Sequence, residues 1–171
     1  YRSFDGMGFH EYLQFCEDIG MEPLYVCNCG ITCQARKEMF MTGQALDEML
    51  QDVLDAIEYA IGTPDTKWGA LRAKMGHPAP FKMNYIEIGN ENWGLEYQIF
   101  HKTISQKYPH IKFVANSHLE KKGISADIVD EHYYETAEWF AENTDLFHDR
   151  SRKGPEIFLG EVSVVRGYVG Q

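Results

Sequence analysis

The sequence predicts an α/β fold in which the strands form a parallel sheet. Segments with apolar residues at helical spacing alternate with short apolar segments of strand character along the 171 residues. This alternation is typical of βα units, in which helices connect parallel strands. Each predicted strand also ends in polar residues, and the carboxyl edge of a parallel sheet is where such folds carry their sites.

Four helices are predicted from the spacing of apolar residues. The first is stopped by Gly20 and followed by Pro23, and the second, with the widest apolar face, ends at Gly62. The predicted helices cover 9–23, 45–62, 96–108 and 137–147.

The segment 63–82 is predicted as a long loop. It contains three prolines and several turn residues. Long loops in compact domains are often functional, so this segment is a candidate part of a site.

Five strands are predicted, over 24–30, 84–91, 111–117, 127–134 and 156–164. The connection 118–126 between the third and fourth strands is at the lower limit for a parallel crossover. The parallel arrangement is therefore least certain from sequence at that step.

The composition excludes several classes of protein. A hydrophobic content of 44% is typical of a folded globular domain. The net charge of −10 argues against binding to nucleic acid or to an anionic membrane surface, since both need clustered Lys and Arg. No apolar run approaches the ~20 residues of a membrane span. A neutral substrate such as a sugar is compatible with this charge.

The four cysteines do not indicate a metal site. Their spacing, Cys16, Cys27, Cys29 and Cys33, matches no common zinc pattern of two separated pairs. We expect ordinary buried thiols, and neither a metal nor a cofactor. Such thiols mildly favour a reducing compartment such as the cytoplasm and leave a secreted or periplasmic location open.

Two strand ends carry a glutamate beside a glycine, Gly89-Asn90-Glu91 and Gly160-Glu161. A pair of carboxylates is the apparatus of glycoside hydrolysis, in which one is a protonated acid and the other an ionised nucleophile or stabiliser. Repulsion and unequal environments would separate their two pKa values. We expect each glycine to leave room for a substrate ring. The alternative is that Glu91 begins a helix and Glu161 lies on a strand surface.

The strand ends together resemble those of a known family. "YIEIGNENWG" resembles the Gly-Asn-Glu motif of clan A glycoside hydrolases. With "FVANSH", "DIVDEHYY" and "IFLGEVSV" it is similar to the family 51 α-L-arabinofuranosidases over nearly the whole chain. The resemblance implies a (β/α)8 TIM barrel, of which residues 1–171 would form a partial catalytic domain covering about strands 3 to 7. A complete barrel takes about 250 residues.

The resemblance also implies roles for individual residues. Glu91 would be the acid/base after barrel strand 4, and Glu161 the nucleophile after strand 7. Asn90 would hydrogen-bond the sugar 2-hydroxyl, and Asn28 would line the sugar pocket. Two further residues, His132 and Tyr134, match a His-x-Tyr pair whose Tyr hydroxyl steadies the nucleophile.

Each of these roles has an alternative. His132 could be a core histidine, and Asn28 a turn residue. Tyr133 and Tyr134 point to opposite faces of a strand, so only one of them reaches the pocket. The two tryptophans Trp68 and Trp93 could stack on sugar rings or simply cover the core.

The activity implied by the resemblance is that of a retaining exo-glycosidase. It would remove terminal α-L-arabinofuranosyl groups from arabinan, arabinoxylan or their oligosaccharides, and the resemblance allows a homo-oligomer. The alternatives are another clan A activity, such as a β-xylosidase or endoglucanase, or a carbohydrate-binding fragment without turnover.

Overall fold

Five parallel strands form one sheet in the computed structural model, which describes residues 6–32, 39–91, 95–116, 119, 123–124 and 126–164. Their spatial order is their order along the chain, as in part of a (β/α)8 barrel. The strands are β1 (Leu24–Cys27), β2 (Tyr85–Ile88), β3 (Lys112–Asn116), β4 (Ile128–Glu135) and β5 (Glu156–Val164). The short connection between β3 and β4 also joins parallel neighbours, which confirms the prediction at its least certain step.

The four predicted helices are present among the described residues, and a fifth joins them. They are α1 (Phe9–Ile19), α2 (Gln44–Ile61), α3 (Lys67–Lys74), α4 (Leu95–Lys107) and α5 (Ala137–Glu142). Gly20 ends α1 with φ of 69°, a left-handed conformation that glycine adopts without strain. The end of α5 comes earlier than predicted because Asn143 closes it and turns follow.

The prediction of an irregular loop over 63–82 is wrong, because α3 lies within it. The Thr66 side chain caps this helix by accepting a hydrogen bond from the Gly69 N–H at 3.1 Å. Its Arg72 is completely buried and donates to four backbone carbonyl groups, those of Tyr59, Ala60, His77 and Pro78. This helix has little amphipathic periodicity, and hydrogen bonds from Arg72 hold it against the end of α2.

The convex face of the sheet carries the hydrophobic core. Alternate strand residues such as Ile86, Ile88 and Phe113 pack there against Ile57 of α2 and Phe100 of α4. Cys16, Cys27 and Cys29 are buried thiols, as predicted, and Cys33 lies outside the described residues. None of the described helices has the length and apolar content needed to span a membrane.

The concave face carries the intervening residues and becomes polar toward the carboxyl ends of the strands. The register aligns Glu87 with Val114, and Asn116 with Asp130. Side chains alternate between the two faces of a strand. Glu87 and Asp130 therefore project to the face opposite the core, where a barrel encloses its interior.

Candidate active site

Glu91 is placed by a turn that begins where β2 ends. Gly89 continues the ladder by donating its N–H to the Cys27 carbonyl at 2.8 Å, and its φ is 75°. Glu91 itself has φ of 49°, which is uncommon for a residue with a Cβ and costs about 1–2 kcal/mol. This turn returns the Glu91 side chain over the strand ends, where it meets His132 of β4.

Glu161 reaches the same place because β5 contains one extra residue. Asp130 pairs with Phe158, whereas His132, two residues along β4, pairs with Glu161, three residues along β5. In a regular ladder Glu161 would lie opposite Tyr133, on the other face of the sheet. The β-bulge turns the Glu161 carboxylate to the concave face.

His132 lies between the two glutamates. Its Nδ1 is 3.1 Å from Glu91 Oε1 and 3.7 Å from Glu161 Oε2. Burial alone would lower the imidazole pKa, but hydrogen bonds to Glu91 and Asp130 and the nearby negative charges outweigh it, so the pKa of His132 is raised. The alternative of a histidine simply packed in the core is not what the structure shows.

Tyr134 contacts Glu161 directly. Its hydroxyl donates to Glu161 Oε2, and this hydrogen bond is the main reason that the Tyr134 pKa is raised. Tyr133 points the other way and stacks on Trp139 of α5, with ring centroids 5.4 Å apart. The choice of Tyr134 over Tyr133 as the residue on the glutamate side therefore agrees with the geometry.

Asp130 holds the bulge and the histidine together. Its Oδ1 accepts the Gly160 N–H at 2.7 Å, and its Oδ2 lies 2.6 Å from His132 Nε2. A Cβ on Gly160 would lie 2.5 Å from Asp130 Oδ1 and 2.8 Å from Oδ2. The expectation that Gly160 leaves room for a sugar ring is therefore wrong, because the Asp130 carboxylate fills that space.

Glu87 lies beneath these groups, buried in β2. Burial and the neighbouring Asp130 carboxylate, to which it hydrogen-bonds, raise the pKa of Glu87 to about 8. Sequence reasoning missed both Glu87 and Asp130. A signal was present, since Glu87 shares its strand face with Gly89 and Glu91, and Asp130 shares its face with His132 and Tyr134.

Among the described residues, Glu91, His132 and Glu161 form the group that could offer three ligand atoms to a metal ion, with those atoms within 4.8 Å of one another. Both ring nitrogens of His132 are already hydrogen-bonded to carboxylates. A metal ion bound through His132 would have to displace one of these carboxylates.

Asn28 and Asn90 line a pocket of about 210 Å³ next to Glu91. Both side chains are exposed. Asn28 also makes a turn, because its Oδ1 accepts the Gly30 N–H at 2.8 Å. The two alternatives for Asn28 are therefore compatible, since a turn residue can present its remaining hydrogen-bonding groups to the pocket.

Trp68 does not line the pocket beside Glu91. It lies on α3 and lines a separate cavity with Phe9, His10 and Tyr59. Trp68 is half-buried on a helix that packs against α2, and this position supports the alternative that it covers the core. Trp93 lies outside the described residues.

A comparison with family models identifies the chain. The model of the alpha-L-arabinofuranosidase 1 domain matches residues 1–153. The chain belongs to this family. The matched region includes Glu91 and His132 but ends before β5, so the match with the family model does not extend to Glu161.

Curated relatives extend the similarity along most of the chain. An extracellular exo-alpha-L-arabinofuranosidase of Streptomyces chartreusis is 36% identical over 178 residues, which cover 94% of this chain and 22% of that protein. Alpha-L-arabinofuranosidase 1 of Arabidopsis thaliana is also 36% identical, over 96% of this chain and 25% of its own length. The chain thus spans about a quarter of the curated relatives.

Solved structures show the same fold. An arabinose-bound α-L-arabinofuranosidase, MgGH51, superposes with a TM-score of 0.84 at 31% identity, covering 94% of this chain and 26% of that one. An arabinose complex of the Thermotoga maritima enzyme gives 0.63 at 24% identity, over 86% of this chain and 33% of that one, which shows the fold alone. The prediction of a partial (β/α)8 barrel is confirmed.

Replacing Gly160 by alanine tests whether Asp130 and the bulge depend on each other. We expect Gly160→Ala to destabilise the protein by about 1–3 kcal/mol, because the new methyl group must displace the Asp130 carboxylate. Chemical denaturation of the full-length protein measures this loss.

The matched control is Gly154→Ala. A Cβ at Gly154 would meet its nearest atom only at 4.0 Å, so we expect a change within about 0.5 kcal/mol. Equal losses of stability in the two variants would show that contact with Asp130 is not what disfavours a side chain at position 160.

Proposed function

We propose that this chain carries the two catalytic glutamates of a retaining exo-α-L-arabinofuranosidase acting on arabinose-containing oligosaccharides and polysaccharides. The observation that carries the proposal is the proximity of Glu91 and Glu161, which have carboxylate oxygens within 4.8 Å of each other. Retaining glycosidases separate their carboxyl groups by about 5–5.5 Å, and inverting enzymes by about 6.5–9.5 Å. Membership of the arabinofuranosidase family supports the choice of sugar.

In the first step Glu161 attacks the anomeric carbon of the terminal arabinofuranosyl group. The bond to the leaving oxygen breaks as Glu91 transfers its proton to that oxygen, and an arabinosyl ester of Glu161 forms. The 49° φ of Glu91 and the bulge before Glu161 support these assignments, since both deviations from regular backbone serve to bring the carboxylates together.

In the second step water replaces the leaving group. Glu91, now ionised, takes a proton from the water, whose oxygen attacks the anomeric carbon and releases Glu161. Two inversions at the same carbon give net retention, and the products are arabinose and the shortened saccharide.

His132 and Tyr134 orient the glutamates in this proposal. The Tyr134 hydroxyl occupies Glu161 Oε2, which leaves the other oxygen for attack. His132 contacts both carboxylates through Nδ1 and can stabilise whichever one carries the charge at each step. We assign Asn90 and Asn28, which line the adjacent pocket, to sugar hydroxyl groups, because neutral amides suit an uncharged substrate.

The first prediction from this proposal concerns the nucleophile, Glu161. We expect full-length protein to hydrolyse p-nitrophenyl α-L-arabinofuranoside, and Glu161→Ala to reduce kcat by at least about 10³-fold, because no covalent intermediate can form. Release of p-nitrophenol measures the rate.

Glu142→Gln serves as the control, since Glu142 is exposed at the end of α5. It should retain the full rate. Wild-type protein that is folded but cleaves only aryl xylosides or glucosides would refute the sugar assignment while keeping the glycosidase class. Binding of arabinofuranosides without any hydrolysis would refute the proposal that the protein is an enzyme.

The second prediction concerns the acid. Glu91→Gln should lose about 10²–10⁴-fold in kcat/KM toward oligosaccharides, whose alkoxide leaving group needs a proton. The loss in formation of the arabinosyl-enzyme should be much smaller with a dinitrophenyl arabinoside. Pre-steady-state release of the phenol measures that step, and equal losses with both leaving groups would contradict the acid role.

The third prediction concerns Tyr134. Tyr134→Phe should lower kcat about tenfold or more, because a hydrogen bond to a charged group is worth about 1.5–3 kcal/mol. Tyr133→Phe is the matched control on the opposite face of the strand, and its kcat should stay within about twofold of wild type. A reversed pattern would show that the wrong tyrosine has been placed at the nucleophile.

A further inference from the structure

Two carboxyl groups lie buried on the concave face without taking part in the steps above. Glu87 is 4% exposed and Asp130 is 3% exposed, and their side chains are hydrogen-bonded to each other. A hydrogen bond between two carboxyl groups requires a proton on one of them, since two carboxylates are acceptors only.

The other contacts of Asp130 show which group lacks the proton. Oδ1 accepts from the Gly160 N–H, which can only donate. Oδ2 lies 2.6 Å from His132 Nε2, and an ionised carboxylate is the partner that favours a donating Nε2–H. Both Asp130 oxygens thus have partners that can donate, so the proton of the pair fits on Glu87.

We propose that Glu87 and Asp130 hold one proton between them, carried by Glu87, and that Glu87 is thereby a positioning residue for the catalytic glutamates. The positioning role rests on the proposed function. The presence of a shared proton does not, because it concerns the folded protein alone.

The effect of Glu87 reaches the glutamates through Asp130. A neutral Glu87 donates to Asp130 and leaves it ionised, which keeps the Nε2 side of His132 directed at Asp130. Nδ1 then faces Glu91 and Glu161. The same carboxylate holds the Gly160 N–H, and with it the bulge that turns Glu161 inward.

The surroundings of Glu87 favour its neutral form. The groups that act on it are Asp130 and His132 of β4 and Glu161 of β5, and the Cys27 thiol of β1 is also close. Val114 of β3, opposite in the register, is apolar. Burial and the two carboxylates outweigh the histidine, so the pKa of Glu87 is raised to about 8.

Thermal unfolding of Glu87→Gln at several pH values tests whether Glu87 and Asp130 share a proton. Because the folded-state pKa of Glu87 is raised, its contribution to stability is complete below about 4.5 and declines as the pH rises to about 8. Glutamine does not titrate. We therefore expect the Tm of Glu87→Gln to rise relative to wild type by at least about 2 °C between pH 5 and pH 9. A constant difference across that range would overturn the proposal.

The positioning role is tested by kcat for an aryl arabinofuranoside in three variants. Glu87→Leu removes the hydrogen-bond donor and should lower kcat at least tenfold with little change in KM. Glu87→Gln retains an N–H donor and should recover most of that loss. Asp130→Asn should lower kcat as Glu87→Leu does, because its amide N–H₂ group would face either the Gly160 N–H or His132 Nε2.

The opposite result, with Asp130→Asn active and Glu87→Gln inactive, would place the proton on Asp130 and refute the proposal. Equal kcat in Glu87→Leu and Glu87→Gln would refute positioning. If wild-type protein hydrolyses no arabinofuranoside, the proposed function fails, whereas the Tm comparison still decides whether the pair holds a proton.

Discussion

The arrangement of the site depends on the carboxylate of Asp130. It accepts the Gly160 N–H at 2.7 Å and contacts His132 Nε2 at 2.6 Å, so a single side chain joins the bulge of β5 to the histidine of β4. The bulge gives Glu161 its direction, and the histidine reaches Glu91. Because bulge and histidine share one anchor, Asp130 links the positions of the two glutamates.

Charge is the main constraint on this arrangement. Glu87, Asp130, Glu91 and Glu161 surround the imidazole of His132, and one cation cannot balance four buried or half-buried anions. A proton on Glu87, whose pKa is raised by burial and by Asp130, relieves part of this repulsion. A neutral Glu87 removes one charge at the base of the site, and a protonated Glu91 is the form required of the acid in the first step. The excess of negative charge that remains disfavours anionic ligands and is compatible with a neutral sugar.

Much of the fold follows from local sequence, but part of it does not. The apolar periodicity of α1 and α2 and the polar ends of the strands predict a parallel sheet with a site at its carboxyl edge. In contrast, α3 is held by the buried Arg72, whose partners are carbonyl groups that no sequence pattern reveals. No sequence pattern indicated the β-bulge before Glu161 either. A strict alternation along β5 would have placed Glu161 opposite Tyr133, away from Glu91.

The residues that sequence reasoning missed explain how the site is organised. Attention to strand ends selects Glu91, His132 and Glu161, whose side chains are partly exposed, and overlooks charged residues within strands. Glutamate and aspartate residues are almost never fully buried in proteins unless they have partners. Glu87 and Asp130 are both buried, and each is the partner of the other. The site therefore has two layers along β2 and β4. In the proposed mechanism the buried layer of Glu87 and Asp130 fixes orientation, and the layer above it, which includes Glu91 and His132, meets the substrate.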